Sequence, residues 1–454
     1  MERKERKMSK VFISDTTQGI KKAIYKLLSN IEQQTGTIIK SSKEVYIKPN
    51  GIDFKPHCHT SPQVLEAVIE YLNENGAEKV YVMENSTQSN ATRLVFEITG
   101  YKEVCKKTGA IPLYLDEQKT KTFEFKGKLS IHNDPKGYIL KEVRLPKTLV
   151  DIMENRESMT YIDLPKLKTH SMAVVTLGIK NQWGFPQHAD RGKDHNYNLH
   201  SKLVDIYEYI RPDLTIIDGT EGGTIHGHYP PTAFEDELLI PFNLLIGGRD
   251  TLSVDVVGAR VFGLTLDEVP HLKIAHQRGL GEADLNKIEV IGKDLSKFTK
   301  KYEWDLLQKF PEDVKIVKGK ELLCREGCQN NPLALLQVLA YDFEDKFEGG
   351  FFIIMGKGHD KNLADKLRTE GFTKGLVAGF CAIDEVGEEL REEFGKKNVY
   401  YSHNCNNLAE TATALFRLSG VSALDLVPIS SLKAGWLLFL AKLHGSKALT
   451  PALF

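Results

Sequence analysis

The clearest sign of the fold is the stretch TYIDLPKLKTHSMAVVTLGIKNQWG, residues 160–184. Its first five residues, 160–164, have the length and apolar character of a buried β-strand. Cations, a histidine and an amide follow around an apolar centre, and they include Lys168, His170 and Lys180. Ligands of parallel α/β sheets bind beyond the carboxyl ends of the strands. This order therefore predicts a strand that ends at a functional site.

The same order recurs along the chain, because strand-length apolar runs alternate with amphipathic helical stretches. Strands are predicted over residues 45–47, 80–83, 160–164, 215–217 and 243–246, and helices over 62–75 and 91–99. Such alternation is typical of an α/β domain with a mostly parallel sheet. We therefore predict the α/β fold class.

A second α/β unit is predicted in the last third of the chain. Residues 298–321 are rich in charge and contain a proline, which is typical of a domain boundary. We predict an α/β domain over 1–295, a linker over 296–320, and a smaller α/β domain with a cysteine cluster over 321–454. In the smaller domain, strands are predicted over 350–355, 375–380 and 399–401, and helices over 386–394, 408–418 and 432–443.

Composition narrows the classes of function. The 454 residues include 60 basic and 61 acidic side chains, so the net charge of −1 gives no reason to expect nucleic acid as a partner. Residues 1–10 are charged and lack the apolar core of a signal peptide. The longest apolar candidate, 436–441, is too short to span a membrane. We expect a cytoplasmic protein without a membrane partner, whose 6 cysteines serve thiol or metal chemistry more than disulfides.

Polar residues at the predicted strand ends form the candidate substrate site. The catalytic candidates are His170, as an acid or base, with Lys168 and Asp218. The substrate-binding candidates are Lys48, Asn50, Lys180, Asn181 and Arg191. Any one of them alone is more simply a solvated loop residue, and only their shared place at strand ends favours a site. The lysines and the arginine favour a small anionic substrate.

The same residues resemble the domain-of-unknown-function family 362. The most specific part is Lys168-Thr169-His170 combined with Lys180-Asn181, and the resemblance spans about residues 43–292. Further matching positions are Lys48-x-Asn50, Thr60-x-Pro62, Thr176, Gly184, Arg191, Asp218-Gly219, Gly248-Arg249-Asp250, Asp255, His271 and Gly279-Leu280-Gly281. Members of this family are often associated with iron–sulfur clusters, some through a ferredoxin-type cysteine run. This chain lacks such a run, and it departs from the pattern at Ile225–Pro231.

Four cysteines of the smaller domain form the candidate metal site: Cys324, Cys328, Cys381 and Cys405. Cys381 and Cys405 follow predicted strands, and Cys405 also precedes a predicted helix, whose amino terminus favours the thiolate. Four thiolates that meet at one edge of a small sheet could hold a [4Fe–4S] cluster or, as the alternative, a zinc ion. For Cys381 alone, burial in the core is the simpler interpretation. The iron–sulfur association of the resembling family favours the cluster.

Together these features predict a cytoplasmic iron–sulfur enzyme that acts on a small anionic substrate, as an oxidoreductase or a lyase. The alternative is a protein without catalytic activity, which binds zinc or a cluster as a structural site or carries electrons to a redox partner protein. The two hypotheses differ in geometry. An enzyme needs the strand-end residues to meet in one cleft that faces the cysteines, whereas a carrier tolerates the two groups on opposite faces.

Overall fold

The structure is a computed structural model that describes residues 8–86, 90–124, 142–193 and 196–448. Its strands, in chain order, are β1 Ser9–Asp15, β2 Glu44–Pro49, β3 Lys79–Glu84, β4 Ile111–Tyr114, β5 Thr120–Glu124, β6 Glu142–Pro146, β7 Thr160–Leu164, β8 Lys168–His170, β9 Val174–Thr176, β10 Leu214–Gly219, β11 Gly223–Thr224, β12 Leu239–Ile240, β13 Leu244–Gly248, β14 Ile288–Gly292, β15 Val314–Lys318, β16 Phe351–Met355, β17 Gly375–Ala378 and β18 Val399–Ser402.

The helices connect these strands and cover the sheets. In chain order they are α1 Ile20–Thr35, α2 Pro62–Glu74, α3 Thr92–Ile98, α4 Tyr101–Thr108, α5 Lys147–Glu154, α6 Gly178–Asn181, α7 His188–Lys193, α8 Leu199–Tyr209, α9 Glu235–Leu238, α10 Thr251–Val261, α11 Pro270–Gln277, α12 Asn330–Asp342, α13 Leu363–Thr369, α14 Phe380–Ala382, α15 Glu388–Phe394, α16 Leu408–Ser419 and α17 Ser431–Leu443.

An eight-stranded sheet forms the centre of the first two thirds of the chain, in the order β14-β1-β13-β10-β7-β2-β3-β4. β13 runs antiparallel to both of its neighbours, and the other neighbouring strands in this sheet are parallel. A mostly parallel sheet with helices between its strands confirms the predicted α/β class. Lys48 of β2 pairs in register with Asp163 of β7, so the two strands bring polar side chains to the same level of the sheet.

Both faces of this sheet are buried. β7 and β10 are buried along their full length, as expected for central parallel strands covered on two sides. Successive residues of a strand point to opposite faces. Ile216 therefore packs in the cluster that contains α1 and α2, while Ile217 packs in the cluster that contains α8 and α10.

The segment at residues 168–170, which follows the predicted strand 160–164, forms the short strand β8. β8 pairs with β9 and β11 in a separate sheet of short strands, where Lys168 lies opposite Thr176 and Thr224. All three residues of β8 are buried. Buried backbone N–H and C=O groups need hydrogen-bond partners, which explains why this polar stretch is a strand and not a solvated loop.

A four-stranded parallel sheet, β15-β16-β17-β18, forms the core of the second unit. Its first strand, β15, lies inside the residues predicted as a linker. β15 is the edge strand beside β16, with Lys315 between Val314 and Ile316 and Lys318 at its end. Lysines are common on edge strands. Because of these lysines, the segment has the charged composition of a linker and was predicted as one.

The carboxy-terminal helix α17 docks on α3 through one face. Its buried residues are Ala434, Leu437, Leu438 and Ala441, and they share a cluster with Leu94 and Val95 of α3. Across the described ranges, the helices are too short or too polar to cross a lipid bilayer.

Candidate functional site

A cavity of about 290 Å³ lies between the large sheet and the second unit, and we call it the lysine cavity. Six of the eight candidate substrate-site residues line it: Lys48, Asn50, His170, Lys180, Asn181 and Arg191. They come from β2, β8, α6 and α7, whose ends meet at the carboxyl edge of the large sheet. The structure thus brings most of the strand-end candidates together.

The opposite wall of the lysine cavity is apolar and comes from the second unit. α12 contributes Ala334 and Leu335, and α16 contributes Leu408, Ala412 and Phe416. Leu426, from the segment that leads into α17, extends this wall. A ligand in the cavity therefore meets cationic and amide groups at one side and aliphatic and aromatic carbon at the other.

Lys48 is held in a buried ion pair. Its Nζ lies 2.9 Å from Oε1 and 3.0 Å from Oε2 of Glu84, and it also donates to Oδ1 of Asn181 at 3.2 Å. Both side chains of the pair are buried, at 1% and 3% exposure. Asn50 donates to the same Asn181 oxygen at 2.8 Å. The Glu84 carboxylate thus neutralises the charge of Lys48. The main role of Lys48 is to help position the side-chain amides of Asn50 and Asn181, and it offers little free charge to a ligand.

A buried carboxyl group lies behind this network. Asn181 donates from Nδ2 to Oδ1 of Asp163 at 2.7 Å, while Oδ2 of Asp163 is buried without a hydrogen-bond partner among the described residues. Burial raises the pKa of Asp163 well above its ordinary value, although Lys48 opposes this shift. The hydrogen bond to Asp163 fixes the orientation of the Asn181 amide, so its oxygen faces Lys48 and Asn50.

Lys180 and Arg191 supply the cationic character of the cavity. Within the described ranges, no hydrogen bond or ion pair engages the Lys180 ammonium, and Nε of Arg191 is buried without a partner. Burial, and then the nearby Lys168, Arg191 and Lys48, lowers the pKa of Lys180 well below its ordinary value. Burial likewise lowers the pKa of Arg191 to about 10. Two cations whose charged forms are destabilised by burial favour an anionic ligand.

His170 lines the lysine cavity, and hydrogen bonds to its ring define its tautomer. The backbone N–H groups of Met172 and Ala173 donate to its Nδ1 at 3.1 and 3.2 Å. A neutral imidazole with an acceptor at Nδ1 carries its proton on Nε2. The ring stacks on His228, with centroids 3.8 Å apart and planes 2° apart. His170 therefore suits hydrogen-bond donation to a ligand, and it is poorly placed for the base role that the sequence also allowed.

The two remaining candidates, Lys168 and Asp218, do not line the lysine cavity. Lys168 donates to the backbone oxygen of Cys58, and burial lowers its pKa to about 8. Asp218 pairs with Lys166 at 3.1 Å and accepts from the backbone N–H of Ser61 at 2.7 Å. Both side chains are buried, and both carboxylate oxygens of Asp218 accept hydrogen bonds. The catalytic roles predicted for them do not fit this placement, because a strand-end position fixes the edge of the sheet but not the direction of the side chain.

Sequence reasoning did not select several residues that line the cavity. Glu84 and Asp53 are the clearest cases, since both are buried carboxyl groups in the cavity wall. Glu84 ends β3 at the same edge as Lys48, so its strand-end position was an available signal. Burial raises the pKa of Asp53. The apolar residues of α12 and α16 had no such signal, because they come from the other unit.

The four cysteines line a second cavity, of about 440 Å³, which we call the cysteine cavity: Cys324, Cys328, Cys381 and Cys405. Asn196, His200 and Pro270 of the first unit form its other side. Cys324 is exposed, Cys328 is buried, and the other two are half-buried. The structure thus places the four cysteines, which come from three chain segments, in the wall of one cavity.

Local backbone geometry positions these thiols. Cys324 directly precedes a single π-helical turn, Arg325–Gln329, and Cys328 lies within this turn, before α12. π-Turns are rare and frequent at functional sites. Cys381 lies in α14 just after β17, and the intervening Gly379 has a φ of +87°. A Cβ at Gly379 would lie 2.3 Å from Sγ of Cys328, so only glycine allows this close approach.

The cysteine cavity is lined by four thiols, and thiolates are the ligands that a [4Fe–4S] cluster uses. Burial raises the pKa of Cys324, and it raises the pKa of Cys328 to about 12, with neighbouring thiols adding to both shifts. Zinc would need the sulfurs about 2.3 Å from one centre. In the part of the chain that the structure describes, no three His, Cys, Asp or Glu side chains are arranged to hold a metal ion as they stand.

The two cavities adjoin through shared elements. Cys328 lies three residues before Asn331 of α12, and Cys405 lies three residues before Leu408 of α16. In each case the cysteine lines one cavity and the later residue lines the other. Three residues span at most about 11 Å of chain. In addition, Asn196 donates from Nδ2 to the backbone oxygen of Cys405 at 3.0 Å. Six of the eight strand-end candidates therefore line a cavity next to the cysteines.

Comparison with known proteins relates part of this chain to one family. Residues 45–260 match the model of the family described as Domain of unknown function (DUF362), which confirms the predicted resemblance. The chain is similar to the thylakoid-associated protein sll1697 of Synechocystis sp. (strain ATCC 27184 / PCC 6803 / Kazusa), with 28% identity over 260 residues, 54% of this chain and 71% of that protein. Among solved structures, a crystal structure of a Thermotoga maritima protein matches with a TM-score of 0.33 and 13% identity, over 88% of this chain and 81% of that one.

Proposed function

We propose that this protein is a cytoplasmic iron–sulfur enzyme, an oxidoreductase or lyase, that acts on an anionic molecule bound in the lysine cavity. Cys324, Cys328, Cys381 and Cys405 would hold a [4Fe–4S] cluster. One observation carries the proposal: the four thiols line a single cavity that adjoins the lysine cavity through α12 and α16. Bound there, a cluster would supply one-electron transfer or a Lewis-acidic iron next to the ligand.

The residues of the chain would bind and orient the ligand. Lys180 and Nε of Arg191 would bind its anionic group, and Nε2–H of His170 would donate to a ligand oxygen. The Lys48–Glu84 pair and Asp163 would hold Asn50 and Asn181 in place. The apolar wall from α12 and α16 would cover the ligand body and exclude water from the site.

A second candidate function is an electron carrier that serves a redox partner protein, with zinc or a cluster in the cysteine cavity. It is favoured by the exposure of Cys324, and by Leu322, which lines the same cavity and is 47% exposed. A surface-accessible metal site beside an exposed apolar side chain is what docking of a redox partner requires. The occupancy of the lysine cavity distinguishes this function from the enzyme, since a carrier does not need a ligand there.

The first test is chemical analysis of the chain purified without oxygen. We expect about four iron and four sulfide per chain, little zinc, and a broad visible absorption that bleaches with dithionite. Stoichiometric zinc without sulfide would instead identify a structural metal site. A metal-free protein that takes up neither iron with sulfide nor zinc would contradict both candidate functions.

The second test concerns the lysine cavity and uses octanoate, acetate and octanol as probes. Each methylene buried against the apolar wall contributes roughly 0.8 kcal/mol, so octanoate should bind at least about a hundredfold more tightly than acetate. Octanol should bind weakly because it lacks the anionic group. Calorimetry on the metal-loaded chain measures all three affinities. Equal binding of octanoate and acetate would contradict an apolar wall that contacts the ligand.

Binding of octanoate should also take up a proton. Burial and neighbouring cations lower the pKa of Lys180 in the empty cavity, and an anion would raise it again. Affinity is therefore highest below the pKa of the empty state and falls as the pH rises through the pKa of the bound state. Titrations in two buffers of different ionisation enthalpy measure the uptake. Lys180→Met should lose affinity and uptake, whereas Lys180→Arg should keep affinity without uptake. Unchanged uptake in Lys180→Met would assign the proton to another group.

A further inference from the structure

The carboxy-terminal helix α17 presents an apolar stripe to solvent on the face opposite its docked side. Leu432, Trp436, Phe439 and Leu443 are 89%, 58%, 55% and 68% exposed. They are spaced four, three and four residues apart, which places them in one line along a helix. Among the described residues, these four make up half of the eight large apolar side chains that are exposed. Stability does not explain this concentration, since the buried face of α17 already docks the helix.

Lysines lie beside the stripe. Lys433 and Lys442 lie on either side of it along the helix, and Lys447 follows shortly after. Lys433 pairs with Glu97 of α3 at 2.6 Å, so Lys442 and Lys447 supply the positive charge. Residues 430–448 contain no aspartate or glutamate. Trp436 and Phe439 stack, with ring centroids 5.6 Å apart, and so form a continuous aromatic surface. Apolar and aromatic side chains between lysines are the pattern of helices that lie in the interface of an anionic bilayer.

We propose that α17 binds the surface of a membrane that contains anionic lipid, with the stripe in the headgroup region and the lysines against lipid phosphates. This surface contact departs from the sequence-based expectation of no membrane partner, which considered only a membrane span. A second copy of the chain is the less favourable occupant. A two-fold contact through the stripe would place Lys442 and Lys447 of both copies in one interface.

The position of α17 gives this contact a consequence for the ligand. The helix packs in a cluster with Phe54, which also lines the lysine cavity. Ala423 and Leu426, from the segment before α17, line the same cavity. A bilayer under α17 would thus lie next to a cavity with one cationic and one apolar wall. The membrane contact itself is argued from α17 alone and stands whether or not the proposed enzyme function is correct.

The test is sedimentation of the full chain with vesicles of phosphatidylcholine, with or without about one third phosphatidylglycerol. We expect binding to the anionic vesicles that weakens as salt is added. Trp436→Ser combined with Phe439→Ser should weaken binding by about tenfold or more, because two aromatic rings lose their apolar contact. Lys442→Glu combined with Lys447→Glu should also cost about tenfold or more, since each lysine near an anionic surface contributes roughly a factor of five.

A matched control carries serine at two exposed apolar positions elsewhere. Ile111 and Leu285 are each 41% exposed, and the double variant Ile111→Ser, Leu285→Ser should bind like the natural chain. Equal melting temperatures would show that all variants are folded. Failure of the natural chain to bind anionic vesicles, or full binding by the Trp436→Ser, Phe439→Ser variant, would overturn the proposal. A dimer in sedimentation equilibrium that this variant abolishes would assign the stripe to a second copy instead.

Discussion

Replacing Cys405 with serine is expected to remove most of the iron from the anaerobically purified chain, from about four atoms to near none. The hydroxyl group of serine is a far weaker iron ligand than a thiolate, and a cluster with three cysteine ligands is exposed at one corner. The loop itself should persist, because Asn196 holds the backbone oxygens of Cys405 and Asn406 at 3.0 and 3.1 Å. Iron and sulfide analysis, together with the visible spectrum, measures the loss of iron. Cys381→Ser should lose its iron in the same way.

Cys105→Ser is the matched control for this prediction. Cys105 is buried in α4, far along the chain from the cysteine cavity, and burial raises its pKa to about 12. A thiol of this kind has a packing role, so its replacement should leave the iron content unchanged. Retention of full iron by Cys405→Ser would remove Cys405 from the ligand set. Loss of iron from Cys105→Ser would show that the measurement reports unfolding.

Asp218→Ala is expected to destabilise the protein by roughly 3–5 kcal/mol, because it leaves a buried cation without its partner. Lys166 and Asp218 are 1% and 0% exposed, and their charged atoms lie 3.1 Å apart. Burial would raise the pKa of Asp218, but Lys166, Ser61 and Thr220 outweigh this effect and leave it lowered. The stabilisation is present above the ordinary pKa of aspartate and is lost as the pH falls through the lowered value. Urea unfolding at neutral and acid pH measures both effects.

Two variants separate the ion pair from the ligand site. Lys180→Met removes a buried cation that lacks a partner among the described residues, so it should cost little stability while weakening octanoate binding. Lys166→Met combined with Asp218→Leu should recover much of the stability lost in Asp218→Ala, since no unpaired charge remains. If Asp218→Ala has the same free energy of unfolding as the natural chain but loses its affinity for octanoate, Asp218 belongs to the ligand site, as the sequence first suggested.

The order of strands and helices could be predicted from the sequence because it rests on local patterns. The predicted strand 160–164 coincides with β7, and the predicted helix 408–418 differs from α16, Leu408–Ser419, by one residue. Apolar runs of five residues and helical periodicity are properties of the segment itself. The same local evidence placed Cys381 and Cys405 after strands of one parallel sheet, so their approach to each other followed from topology.

Other features depend on contacts that a local pattern does not contain. Lys168 and Lys180 look equivalent in sequence, yet Lys168 donates to Cys58 inside the wall while Lys180 faces the cavity. The difference is one of side-chain direction. The apolar wall was also missed, because Leu408 and Phe416 are ordinary core-facing residues of an amphipathic helix until the other unit is brought against them.

The central place of β13 has a consequence for how this chain can fold. β13 lies between β10 and β1, and β1 in turn pairs with β14 at the sheet edge. The family-matched residues 45–260 include β13 but neither β1 nor β14. A fragment cut at those limits would leave β13, whose five residues are all buried, as an open apolar edge. Such edges recruit other chains, so the fragment is an aggregation hazard. During synthesis on the ribosome, β1 is made first. Its backbone hydrogen bonds are complete only after β13, residues 244–248, and then β14, residues 288–292, have been made.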